Sequence, residues 1–118
     1  MLKLVCDDLH NRGIKLLLKA HPRDAFYPTK FEELHCELLN VPGLSFEGLC
    51  ECALPKAVIS YPSTTLINPK LFWNVPTFCV ADMLDREKMR NYIDEIDSFK
   101  RVFRNFVRFV KTPNEIKI

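Results

Sequence analysis

The stretch AVISYPSTTLINPKLFWNVPTFCVAD, from Ala57 to Asp82, determines the fold that the sequence predicts. It begins with AVISY, an apolar and β-branched run between Pro55 and Pro62, which is typical of a buried strand. The segment STTLINPKLFW then resembles a helix start, and PTFCVAD, which begins at Pro76, predicts a further strand. A strand, a helix and a strand in succession favour two parallel strands joined by a crossover helix.

The residues before this stretch continue the alternation of helix and strand. Leu2–Arg12 has apolar residues at helical spacing and ends before Gly13, a residue that favours helix ends. Ile14–Ala20 is a short apolar run that predicts a strand. Thr29 and Glu32 have the spacing of a capping box, which predicts a helix that closes at Pro42-Gly43. The apolar residues on the inner face of that helix would be Phe31, Leu34, Leu38 and Leu39.

The residues after the stretch predict helix from Asp85 to about Lys111, with a break near Asp97-Ser98. Short apolar strands that alternate with helices argue for a parallel sheet covered on both faces. The chain of 118 residues is long enough for one core and too short for two. We therefore expect a single α/β domain over residues 1–118.

Composition excludes several classes of function. The 17 basic and 15 acidic side chains give a net charge of +2, which argues against nucleic-acid binding by bulk electrostatics. No apolar run reaches the ~20 residues of a membrane-spanning helix, and acids interrupt the N-terminal MLKLVCDDLH, so we expect a cytoplasmic protein. The five cysteines have irregular spacing without a Cys-x-x-Cys pair, which predicts reduced thiols and no metal site.

Polar side chains follow two predicted strands at their carboxyl ends, where an open parallel sheet binds its ligands. After the first strand come His21, Pro22 and Arg23. After the second come Ser63, Thr64 and Thr65, at the start of the predicted helix. Hydroxyls and free N–H groups at a helix start, together with an imidazole or a guanidinium, can bind a phosphate. The sequence thus indicates a nucleotide-phosphate site, although helix capping by Ser63 and an ordinary turn at His21 would explain the same residues.

KLLLKAHPRD, followed later by KAVISYPSTTLIN, resembles the His-Pro motif and the Ser/Thr motif of bacterial sialyltransferases. The group concerned contains the lipooligosaccharide sialyltransferases and the capsular polysialyltransferases. The resemblance covers about Gly13 to Asp82. It implies a three-layer Rossmann-like domain with a short parallel sheet, corresponding to the C-terminal half of a GT-B glycosyltransferase. That half binds the donor CMP-sialic acid, and the enzymes need neither a metal nor a cofactor.

The resemblance also implies roles for individual residues. His21 of the His-Pro motif, with Pro22 and Arg23 beside it, would contact the donor phosphate and act in catalysis by stabilising the leaving group. Ser63 and Thr64, followed by Thr65, would hold the same phosphate. Glu47 would bond the ribose hydroxyls, although Ser45 occupies the position where these enzymes usually have a proline.

The general base of these enzymes belongs to an acidic motif in the N-terminal half, which we expect to be absent from this chain. Asp7 and Asp8 are instead predicted to lie on the solvated face of the first helix. We therefore expect a donor-binding half whose complete enzyme transfers sugar to a glycan or glycolipid acceptor. Two main alternatives remain: a fragment of a polymer transferase that uses CDP-glycerol, and a non-catalytic α/β interaction domain. A receiver-like or other small complete Rossmann-type domain ranks last, because it would need an acidic cluster at a strand end.

The segment SFKRVFRNFVRFVK, Ser98 to Lys111, is basic and amphipathic. One interpretation is a C-terminal helix whose phenylalanines pack on the sheet or against the missing half. The other is peripheral docking on a membrane surface. An apolar stripe left uncovered would also favour self-association.

Overall fold

A computed structural model describes residues 2–19, 35–39 and 45–118 of the chain. The chain divides into two compact units, Met1–Gly43 and Leu44–Ile118. Both contain helices and parallel strands, so the predicted α/β class is confirmed at this level. The single domain over residues 1–118 stays a prediction.

The first unit contains one helix, α1 (Leu2–Asn11), and two strands, β1 (Leu17–Lys19) and β2 (Glu37–Leu39), among its described residues. As predicted, α1 ends before Gly13, whose φ of 74° lies in the left-handed region that glycine adopts readily. The predicted strand at Ile14–Ala20 is confirmed in its second half by β1, which pairs in parallel with β2.

The prediction of a helix through residues 37–39 is wrong, because these residues form β2. Leu17 pairs in parallel with Glu37, and Lys19 pairs with Leu39. The backbone hydrogen bonds of this pairing favour a strand, although the local sequence favours a helix. The capping box at Thr29 and Glu32 lies outside the described residues.

The second unit consists of a three-stranded parallel sheet with helices between its strands. Its elements in chain order are α2 (Phe46–Cys52), β3 (Val58–Ser60), a 3₁₀ turn (Thr64–Leu66), α3 (Asn68–Trp73), β4 (Thr77–Cys79), α4 (Ile93–Phe103) and β5 (Arg108–Phe109). Further 3₁₀ turns lie at Ala81–Met83, Arg90–Tyr92 and Pro113–Glu115. The strand order is β3-β4-β5, so β4 is central. The two strands and the helix predicted between Ala57 and Asp82 are confirmed.

The core of the second unit lies where the helices cover this sheet. Its buried members are Val58, Leu66, Val75, Cys79, Ala81 and Val107. Partly buried aromatic residues pack against them, namely Phe46, Trp73, Phe99, Phe103 and Phe109. Phe78 on β4 is completely buried, as expected for the central strand of a covered sheet.

The prediction for the C-terminal region is wrong in three respects. Residues 85–92 form turns and a 3₁₀ segment, so α4 begins at Ile93 and not at Asp85. Helix α4 continues through Asp97-Ser98 without a break, and it ends at Phe103 instead of reaching Lys111. Residues 108–109 form β5 on the open edge of β4, which buries Val107 and Val110 beside the sheet. Pairing with a distant strand therefore prevails over the helical spacing of the apolar residues.

Candidate functional site at the carboxyl edge of the second sheet

Strands β3 and β4 end at the same edge of the sheet. They are parallel, and Ser60, the last residue of β3, is paired with Cys79, the last residue of β4. The segments that follow them, residues 61–65 and 80–83, therefore leave the sheet at one edge. Ligands of open parallel sheets bind at this edge.

The predicted Ser/Thr motif begins immediately beyond β3. Ser63 precedes the 3₁₀ turn in an extended conformation, and its Oγ accepts a hydrogen bond from the Thr65 N–H over 3.2 Å. The Thr65 hydroxyl lies 3.1 Å from the same Oγ and donates to it. Ser63 is thus the cap of the turn, as the capping interpretation predicted. Its own hydroxyl proton is not used in these two bonds, because both involve Ser63 Oγ as acceptor.

Glu47, the predicted ribose ligand, is connected to the helix that follows this motif. It lies in the first turn of α2, where Ser45 caps the helix by accepting a hydrogen bond from the Gly48 N–H over 3.0 Å. The Asn68 side-chain amide donates to Glu47 Oε1 over 3.0 Å. Since Asn68 begins α3, the structure brings Glu47 to the helix start that lies three residues after Thr65.

An open cleft of about 350 Å³ adjoins the segment after β3. Its lining residues are Tyr61, Pro62, Leu84, Met89, Tyr92, Glu95, Ile96 and Phe99. Three of them are aromatic, and one is a carboxylate. Partial burial raises the pKa of the Tyr61 phenol, so this side chain remains a neutral donor and acceptor at neutral pH.

Sequence reasoning missed these cleft residues. Tyr61 could have been found, because it follows the last residue of β3 and precedes the Ser/Thr motif. Tyr92 and Glu95 carry no local signal, since only the packing of α4 brings them to the cleft.

A second pair of polar side chains lies beyond the end of β4. Lys100 Nζ donates to Asp82 Oδ2 over 2.6 Å, and the Asp82 side chain is only 12% exposed. Lys100 also lies 5.5 Å from the centre of the Phe109 ring. Burial raises the pKa of the neighbouring Cys79 thiol to about 11, and this completely buried residue packs as a small hydrophobic side chain.

His21, Pro22 and Arg23 lie outside the described residues. Their predicted convergence with Ser63 on one phosphate therefore stays a prediction.

The first unit contains a contact between His10 and His35, and the sequence predicts no role for either residue. The rings of His10 and His35 stack with their centres 4.0 Å apart, and His35 Nε2 lies 3.8 Å from Asp7 Oδ1. Asp8 on α1 forms an ion pair over 2.6 Å with Arg12, the first residue after the helix. Within the described ranges, no three His, Cys, Asp or Glu side chains are grouped as metal ligands.

Comparison with protein-family models, curated proteins and solved structures finds no match to this chain. In the part of the chain that the structure describes, no helix combines the length and apolar character needed to cross a bilayer.

Proposed function

We propose that the second unit binds the cytidine nucleotide of a CMP-linked sugar, as the donor-binding domain of a sialyltransferase-like glycosyltransferase. The observation that carries this proposal is the position of the Ser63-Thr64-Thr65 motif. It follows β3 at the carboxyl edge of a parallel sheet, beside a cleft with aromatic walls. Both features suit a nucleotide, which combines an anionic phosphate with a flat base.

The phosphate would bind at the Ser/Thr motif. The exposed Thr64 hydroxyl and the hydroxyl proton of Ser63 are donors of the kind that phosphate oxygens accept. The base would stack on Tyr61 or Tyr92 in the cleft, because every nucleobase presents a π-face to an aromatic ring. Glu47, whose carboxylate is oriented by Asn68, would accept hydrogen bonds from the ribose hydroxyls.

The His-Pro motif belongs to the same proposal. His21 would donate to the leaving phosphate, with Pro22 shaping the turn and Arg23 adding positive charge. These groups would stabilise the negative charge that develops on the leaving phosphate. The proposal includes no metal ion or cofactor. The Rossmann-like, GT-B architecture, the sialic-acid donor and the glycan or glycolipid acceptor are further parts of this proposal. A cytoplasmic location also belongs to it, and the five free cysteines support a reducing compartment.

Titration with CMP, followed by amide NMR shifts, tests the proposal. We expect the largest shifts at Tyr61, Ser63 and Thr65, and smaller ones with cytidine, which lacks the phosphate. Shifts confined to other parts of the second unit, or no shifts at millimolar CMP, would contradict it. Parallel titrations with CMP-sialic acid and CDP-glycerol test the donor. If the chain belongs to a polymer transferase that uses CDP-glycerol, CDP-glycerol should bind more tightly than CMP-sialic acid.

One observation favours a second candidate, a non-catalytic interaction domain. Leu71 and Phe72 on α3 are 59% and 65% exposed, which leaves two large apolar side chains available to a partner. In this candidate Ser63 is only a helix cap. It predicts no nucleotide binding, so the CMP titration separates the two functions.

A further inference from the structure

The first unit contains two cysteines, Cys6 on α1 and Cys36 immediately before β2. The stack of His10 on His35 joins these two parts of the chain, with the ring planes within 10° of parallel. Cys6 precedes His10 by four residues, so both side chains lie on the same face of α1. Cys36 directly follows His35 in the sequence. The histidine stack therefore brings Cys36 to the face of α1 that includes Cys6.

The two thiols are in contact, because a hydrogen bond joins the Cys6 and Cys36 side chains. Cys6 is completely buried, whereas Cys36 is partly exposed and lines an open cleft of about 490 Å³. One thiol of the pair is thus accessible from solvent, and the other is shielded. A disulfide requires close approach of this kind, since the Cβ atoms that it joins lie only about 4 Å apart.

We propose that Cys6 and Cys36 are an oxidative modification site, where hydrogen peroxide converts the two thiols into a reversible disulfide. The Cys36 thiolate attacks one peroxide oxygen, the O–O bond breaks, and the leaving hydroxide takes up a proton to become water. The Cys6 sulfur then attacks the resulting sulfenic acid, which forms the S–S bond and releases a second water. The thiol pair loses two electrons, and the peroxide gains them. This inference goes beyond the proposed nucleotide site and does not depend on it.

The difference in burial sets the order of the two steps. Burial, together with the neighbouring Cys36 thiol, raises the pKa of Cys6 to about 11, so Cys6 is rarely a thiolate at neutral pH. The peroxide therefore reacts first at Cys36, which it reaches from the cleft. An accessible thiol beside a second thiol that resolves its sulfenic acid is the arrangement of redox-sensing cysteines.

The disulfide would join α1 covalently to the residues before β2 and close a loop over residues 7–35. A cross-link of this length removes conformational entropy from the unfolded chain. Oxidation should therefore raise the melting temperature of the full chain by at least roughly 5 °C, and dithiothreitol should reverse the change. A melting temperature that stays the same or falls would contradict a native contact between the two thiols.

Peptide mass spectrometry of the full chain tests the site. The protein is treated with hydrogen peroxide, its remaining thiols are blocked with N-ethylmaleimide, and it is digested without reduction. We expect one cross-linked pair of peptides, containing Cys6 and Cys36, which dithiothreitol separates. Oxidation in denaturing urea should instead distribute the disulfides over all five cysteines.

Three variants identify the roles of the thiols. Cys36→Ser should abolish the cross-link, whereas the matched control Cys52→Ser, which removes an exposed thiol of the second unit, should form it as the unchanged protein does. Cys6→Ala should leave Cys36 as a sulfenic acid that dimedone labels, because the resolving thiol is missing. Circular dichroism confirms that each variant is folded.

A different product would overturn the proposal. Disulfides between two chains, or between Cys36 and Cys52, would show that the cross-link does not follow the observed contact. A sulfonic acid at Cys36 without any cross-link to Cys6 would show that Cys6 does not resolve the sulfenic acid.

Discussion

The Asn68 side-chain amide donates to Glu47 Oε1 over 3.0 Å, which connects two helices that lie on either side of β3 in the sequence. This bond orients a carboxylate at the start of α2 toward the helix that follows the Ser/Thr motif. In the proposed function, this is the carboxylate that binds the ribose.

A change at Glu47 should therefore alter the recognition of the sugar. The unchanged protein should prefer CMP to 2′-deoxy-CMP by about five- to tenfold, the worth of one hydrogen bond. Glu47→Ala should abolish the preference, because the ribose hydroxyls lose their acceptor. Calorimetric titration with CMP and with 2′-deoxy-CMP measures this preference. Glu51→Ala, an exposed position on the same helix, is the control and should leave the preference intact. A Glu47→Ala variant with its preference unchanged would remove Glu47 from the site.

A left-handed residue ends α3, and it allows a test of the local fold. Asn74 has a φ of 54° and receives a hydrogen bond from Lys70 Nζ at its side-chain oxygen over 3.1 Å. Asn74→Ala should lower the free energy of unfolding by about 1 kcal/mol. A Cβ atom disfavours the left-handed conformation, and alanine lacks the side-chain amide whose local hydrogen bonds offset this cost in asparagine. Asn74→Gly should cost less than about 0.5 kcal/mol. Urea denaturation measures both, and a larger loss for glycine than for alanine would contradict the assignment.

Two phenylalanines test the position of the core. Phe78 is completely buried on the central strand, whereas Phe72 is 65% exposed on α3. Phe78→Ala should lower the free energy of unfolding by about 3–5 kcal/mol, because it removes buried area and leaves a cavity. Phe72→Ala should change it by less than about 0.5 kcal/mol. Chemical denaturation of both variants provides the comparison. Similar losses at the two positions would show that the sheet is not covered as described.

The cysteines should react with iodoacetamide in an order set by their burial. Burial raises the pKa of the Cys6 and Cys79 thiols to about 11, so roughly one molecule in a thousand has the thiolate at pH 8. Cys52 is exposed and should be labelled first. Peptide mass spectrometry over a time course measures the order, and Cys52→Ser should remove the fast phase. Rapid labelling of Cys79 without denaturant would contradict its burial.

The elements between Ala57 and Asp82 could be predicted because their signals are local. Prolines flank the apolar run of β3, and Ser63 has the side chain of a helix cap. The strand β2 could not be predicted in this way, since its conformation depends on pairing with the distant Leu17–Lys19. For the same reason the sequence predicts helix where β5 forms, because the pairing of β5 with β4 is not encoded in the spacing of its apolar residues.

The residues of the candidate site also differ in whether local sequence predicts them. Ser63 and Glu47 could be proposed from motif and position. The cleft beside them could not, because Tyr92 and Glu95 reach it only when α4 packs against the second sheet.

Replacement of Ser63 by aspartate tests the central claim most directly. Aspartate caps a helix as well as serine does, so Ser63→Asp should keep the free energy of unfolding within about 0.5 kcal/mol. Its carboxylate would repel a phosphate bound at the same place, and calorimetry should show CMP affinity reduced at least roughly tenfold. Cytidine, which has no phosphate, should bind the variant as it binds the unchanged protein. A folded Ser63→Asp variant that binds CMP with undiminished affinity would contradict the proposed phosphate site.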